Sequence, residues 1–141
     1  MLQQKHTVIT QDVTAEQVWK VWSDVDNWSS FDSDLEWTKA PDNFKFAPGH
    51  YFYLKPKGGP KVKIIISDIT LHQTFTDYVE FFGARMTDAH ELKQTAAGLE
   101  ISNTISVRGP LAWLWRKLVA EKVAAGIPEQ TQRLIELAKT K

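Results

Sequence analysis

The segment Met86-Thr87-Asp88-Ala89-His90-Glu91-Leu92 carries the clearest chemical potential in this chain. Side chains of an extended strand alternate between faces, so Asp88 and His90 share a face with the apolar Met86 and Leu92. A carboxylate two residues from an imidazole on one face can orient the ring for acid–base work. His90 is therefore the candidate proton carrier and Asp88 its orienting partner. Asn103 belongs with them, because the face Leu99, Ile101, Ile105, Val107 of the next strand-like run includes it. The competing reading is that His90 is a half-buried, hydrogen-bonded residue of an apolar strand with no chemistry to perform. Register decides between them. A slip of one residue would turn Asp88 and His90 outward and bring Thr87, Ala89 and Glu91 in.

Tyr51 and Tyr53 alternate with Phe52 and Leu54, and one of these pairs faces inward. Alternation does not choose between them. Tyr53 is the candidate whose hydroxyl would meet a ligand, against the alternative of a sheet-edge ring with a wet hydroxyl. Asp24-x-Asp26 and Asp32-x-Asp34 have the opening spacing of a calcium loop. Both lack the glycine at the sixth position, and the twelfth is Leu35 or Asn43 instead of Glu. His6, His50, His72 and His90 show no His-x-x-x-His spacing, so no metal is expected. No nucleophile elbow, P-loop or dinucleotide fingerprint is present, and no cofactor is implied. The lysines between Lys55 and Lys63 read as a charged hairpin that resists edge-to-edge pairing, not as a phosphate site.

These residues need elements to hold them. With 141 residues, the chain is expected to form a single domain over 1–141 with a real core. Lysine plus arginine and aspartate plus glutamate both number 17, which leaves no net charge and no expectation of a nucleic-acid partner. Charge is uneven along the chain. Six acidic residues and one lysine lie between Asp24 and Asp42, whereas Pro110 onward has six basic residues against three acidic. There is no cysteine, so thiolate chemistry and disulfides are excluded. The opening MLQQKHTVITQDV has no apolar signal region, and a cytoplasmic location is expected. No apolar run approaches the roughly 18 residues of a membrane span, so no stable membrane insertion is expected.

His6 to Thr10 is short and β-branched and reads as a first strand. Thr14 and Gln17 form a capping box for a helix carrying Val18, Val21 and Trp22. Asp24 to Asp32 reads as a second short helix or turn anchored by Trp28 and Phe31. Strands then follow one another over 35–39, 50–55, 62–71, 74–82, 86–95 and 99–107, with turn residues between them and no helical pattern. That succession predicts an antiparallel meander. Gly109-Pro110 opens a long closing helix. Leu111, Leu114, Trp115, Leu118 and Val119 fall at helical spacing, and Ile127, Thr131, Leu134, Ile135 and Ala138 continue a comparable stripe. A kink or short break is expected at Gly126 and Pro128. Trp113 and Trp115 lie about 200° apart on a helix, so one of them must be partly exposed.

The run Thr14-Ala15-Glu16-Gln17-Val18-Trp19, then Trp22-Ser23-Asp24-Val25-Asp26-Asn27-Trp28, then Phe31-Asp32, resembles the opening of START-like helix-grip (SRPBCC) proteins. Ala47-Pro48-Gly49 before a strand and the long closing helix fit the same pattern. The likeness covers nearly the whole chain and looks closest to the polyketide cyclase/dehydrase and lipid-transport branch. It implies an α+β fold: a curved antiparallel sheet of about six to seven strands wrapped on a long C-terminal helix, with two short N-terminal helices. It also implies an apolar cavity between helix and sheet. The superfamily includes carriers, receptors, cyclases and co-chaperones, so fold does not fix activity.

The expected function is binding of a small hydrophobic, lipid-like or polyketide-like ligand in that cavity. A cyclase/dehydratase-type enzyme and a protein-interaction module of the same fold are the alternatives. The expected lining is Phe75, Val79, Phe81 and Met86 from the middle strands, with Tyr53. Ile101, Asn103 and Ile105 from the last strand complete it, with Trp115 and Leu118 from the helix.

Overall fold

The computed structural model describes residues 2–141. Seven strands form one antiparallel sheet: β1 (Leu2–Thr10), β2 (Leu35–Lys39), β3 (Tyr51–Pro56), β4 (Val62–Thr70), β5 (Thr74–Phe81), β6 (Ala84–Thr95) and β7 (Gly98–Arg108). Their order is β1-β7-β6-β5-β4-β3-β2, a meander from β2 to β7 whose last strand takes β1 as its outer neighbour. The expected meander and its turns are all present. β1 begins four residues earlier than its β-branched stretch suggests, because Leu2 to Lys5 pair with Val107 to Thr104. Cross-strand hydrogen bonds make a strand of residues whose side chains alone would not indicate one.

Between β1 and β2 lie α1 (Ala15–Ser23) and a 3₁₀ turn (Val25–Ser30). The Thr14–Gln17 capping box forms with both reciprocal hydrogen bonds. Val18, Trp19, Val21 and Trp22 of α1 are buried, and Trp28 anchors the turn by donating its indole N–H to Trp22 O at 2.9 Å. With Phe31, Phe52 and Phe75 these rings form the main core, where several pairs meet edge to face. Trp19, Trp22, Trp28 and Phe31 are thus core, and their packing holds α1 against the sheet, while Trp37 is exposed.

The closing segment comprises α2 (Ala112–Trp115), a π-helical turn (Arg116–Ala120) and α3 (Glu121–Ala138). It reaches the sheet through a tight turn at Gly109, where φ is +121° and a Cβ would stand 2.5 Å from Gly83 O. Only glycine fits there. The π turn overturns two expectations. Its i→i+5 bonds add a residue to one turn, so the stripe counted from Leu111 no longer faces the sheet beyond Trp115. Leu118 is 60% exposed, and Ala120 takes the inward position. From Ala120 the stripe resumes through Ile127, Thr131, Leu134, Ile135 and Ala138, all buried. No break occurs at Pro128. α3 runs through it, with Pro128 on the exposed face and buried residues holding the helix on either side. Trp113 is the exposed member of its pair, at 56%, while Trp115 is half-buried. The architecture is the expected helix-grip α+β fold. A smaller second core, Ile105, Val107, Ala120 and Ile127, forms where β7 meets this helix.

Candidate functional site

Residues opposed across an antiparallel sheet project to the same face. One rung of this sheet reads Phe75, His90, Asn103, His6 from β5 to β1, and the next reads Asp77, Asp88, Ile105, Gln4. Phe75 and Ile105 belong to the core, so both rungs face inward. The register expected for Asp88, His90 and Asn103 is the one found. A band of polar residues therefore crosses the concave face of the sheet between the two apolar cores.

His90 sits at the centre of this band. Its ring stacks on Phe75, with centroids 3.7 Å apart and planes 9° from parallel, and Trp22 and Trp28 lie beside it. Nε2 is 3.3 Å from Asp88 Oδ2, and Nδ1 is 3.2 Å from Phe75 O and 4.0 Å from Asp77 Oδ2. A carbonyl and a carboxylate are both acceptors, so this geometry suits an imidazolium donating from both nitrogens. Burial alone would lower the ring's pKa and is the largest single influence. The charge and hydrogen bond of Asp88, the charge of Asp77 and the Phe75 carbonyl together outweigh it, and the value lies above that of a free imidazole.

Asp77 faces the opposite pressure. Its burial raises the carboxyl's pKa to about 8; Asp88 adds to the rise and His90 opposes it. The band thus favours the protonated form of both groups, with Asp77 held toward its neutral acid and His90 toward its cation. Asp88 completes it, accepting from Asn103 Nδ2 at 3.3 Å. Its side chain retains 22% exposure, so it connects the buried ring to the outside. Asp32, from the turn before β2, comes close enough for its charge to be felt. Burial raises the Asp32 pKa first of all; its bond from the Asp34 backbone N–H and Arg133 oppose this, and Asp34 and Asp88 add to it. Gln130 of α3 donates Nε2–H to Asp32 Oδ2 at 2.9 Å and so ties the helix to the turn.

The remaining expected site residues divide into three groups. Phe75, Val79 and Ile101 are fully packed in the main core, with Phe81 and Met86 against it, so they bound the site without facing open space. Trp115 stacks on Phe81, with centroids 4.3 Å apart, and donates its indole N–H to Phe82 O at 2.8 Å. Tyr53 and Leu118 are not at the site. Tyr53 lies on the face opposite Phe52, under the Lys61 ammonium, because the Phe52–Leu54 pair takes the inward positions. Leu118 points to solvent for the reason given by the π turn.

Ile105 does line open space. Two neighbouring grooves lie between β1–β7 and the closing helix, and both include Gln4. One, of about 140 Å³, is lined by Gln3, Ile105, Val107, Arg116, Ala120 and Glu121. The other, of about 310 Å³, is lined by Lys5, His6, Ala124 and Ile127. Sequence reasoning missed Asp77, His6, Asp32 and Gln130. The first two were legible, since alternation from Phe75 and from Val8 gives both the inward face. Asp32 and Gln130 meet across 98 residues, and no local pattern signals that.

No family model and no curated protein matches this chain in sequence. Solved structures do match in fold. Protein MLL2253 from Mesorhizobium loti superposes with a TM-score of 0.71 at 16% identity, covering 99% of this chain and 98% of that one. Hypothetical protein jhp0584 from Helicobacter pylori gives 0.76 at 15%, covering 97% and 88%. Ara h 8.0201 gives 0.67 at 11%, covering 99% and 95%. At these identities the likeness is one of fold. Among the described residues, no helix is long and apolar enough to cross a membrane.

Proposed function

We propose that this protein binds a small, largely hydrophobic ligand between its closing helix and the concave face of the sheet. The observation that carries this reading is the groove pair along β1–β7. Its larger part, about 310 Å³, has the size of a small-ligand site. Its floor joins the apolar Ile105, Val107, Ala120, Ala124 and Ile127 to a few polar groups. Small residues at 120 and 124 leave room where the helix passes the sheet, and a larger side chain would remove it. Ala124→Trp fills the groove and is the test. Wild-type protein should gain thermal stability with apolar probes, by roughly 2.7 kcal/mol at 100 times the dissociation constant. The variant should melt cooperatively and show no such gain. Equal stabilisation of both proteins would place binding elsewhere and sink the reading.

A second reading is a cyclase- or dehydratase-type enzyme in which His90 moves a proton and Asp88 orients it. What favours it is the partial exposure of Asp88, which gives a substrate oxygen a way to reach the Nε2 side of an otherwise enclosed ring. The Nδ1 bond to Phe75 O would hold the ring fixed while Nε2 exchanges its proton.

A further inference from the structure

We infer that the groove along β1–β7 is built for an organic carboxylate with an apolar body, its head group held by Arg116 and its far end reaching His6. The inference rests on the ligand-binding reading and gives the ligand its chemical class. Among the described residues, two buried side-chain nitrogens lack a hydrogen-bond partner: His6 Nδ1 and Arg116 Nε. Buried polar atoms nearly always have partners, so each such atom asks for an explanation. Both residues line this groove, one in each of its two parts, with Gln4 common to both. Two unmatched nitrogens face adjoining apolar-floored grooves that share Gln4, and an occupant spanning both would supply each with an acceptor.

The chemistry of the walls selects acceptors. Lys5 and Arg116 can only donate, Gln3, Gln4 and His6 can donate or accept, and the single lining carboxylate is Glu121. Glu121 Oε1 stands 3.5 Å from Arg116 Nε, and both side chains are about half exposed. That contact is an ion pair without a hydrogen bond, and a half-exposed carboxylate can rotate into water when a better acceptor arrives. A guanidinium fork matches a carboxylate bidentately, which an alcohol cannot reproduce. His6 Nδ1, in the groove beside Ala124 and Ile127, would meet a polar group at the opposite end of the body from the carboxylate. The apolar body would lie along the helix from Ala120 to Ile127, a run of about 10 Å at 1.5 Å per residue.

The test compares acids with alcohols of the same body: decanoate against decanol, and 1-naphthoate against 1-naphthylmethanol. Binding is measured by calorimetry on wild type, Arg116→Gln and Ala124→Trp. We expect one or both acids to bind about tenfold or more tighter than the matched alcohol, since a bidentate ion pair is among the stronger polar contacts. Arg116→Gln should bring acid and alcohol to similar affinity without lowering the melting temperature. The two pairs separate a chain-like body from a ring-like one. If acids and alcohols bind wild type equally, or Arg116→Gln leaves the acid's affinity unchanged, the carboxylate assignment is overturned. Loss of binding in Ala124→Trp would still uphold the groove. If no probe binds wild type, the groove reading fails and the assignment falls with it.

Discussion

Asp77→Asn should make the protein less sensitive to alkaline conditions. Asp77 is buried and its carboxyl is shifted from 3.8 to about 8, chiefly by burial. The folded state therefore binds this proton more tightly than the unfolded state does between those values. Stability must fall as pH rises through that window. One proton held differentially corresponds to about 1.4 kcal/mol per pH unit, and sharing the titration with His90 halves this at the lower limit. Between pH 5 and 7 the wild type should then lose about 1 to 3 kcal/mol relative to the variant, whose amide mimics the neutral acid and does not titrate. For a chain of this size that is roughly 3 to 10 °C in melting temperature. His90 works in the same direction at higher pH. Its raised value means its contribution is complete below about 6.5 and is lost as pH rises through the folded pKa, so both proteins should keep a decline there. The assay is thermal unfolding by circular dichroism from pH 4.5 to 8.5. Parallel curves for wild type and Asp77→Asn would refute the reasoning, because they would mean Asp77 ionises as an ordinary carboxyl.

The π turn divides two leucine-sized positions that the sequence treats alike. Leu118→Ala should change stability by less than about 0.5 kcal/mol, whereas Ile127→Ala should cost about 2–5 kcal/mol by urea unfolding; equal losses would contradict the register of the closing helix. If the polar band around His90 is catalytic, His90→Gln should lower turnover of a cyclised or dehydrated product about 100-fold or more with ligand affinity nearly retained; a variant with full turnover would remove His90 from the mechanism.

Much of this molecule is legible in its residues because the deciding forces are local. Strand alternation placed Asp88, His90 and Asn103 on one face, and the cross-strand register confirms it, since a slip of one residue would have exposed a whole apolar row. The Thr14 capping box, the turns and the meander are likewise short-range consequences of side-chain type. Three features were decided only in three dimensions. Tyr53 and Phe52 alternate equally well in either sense, and the pairing of Phe52 with Ile64 in the core settles which is inside. The closing stripe assumes 3.6 residues per turn, and a π turn between Trp115 and Glu121 alters the phase to keep Ala120 and Ile127 against β7. The abnormal ionisation of Asp77 comes from its burial, and that of His90 from burial being overcome by Asp88, Asp77 and the Phe75 carbonyl. No composition or spacing encodes it, because desolvation belongs to the packed interior and not to the chain.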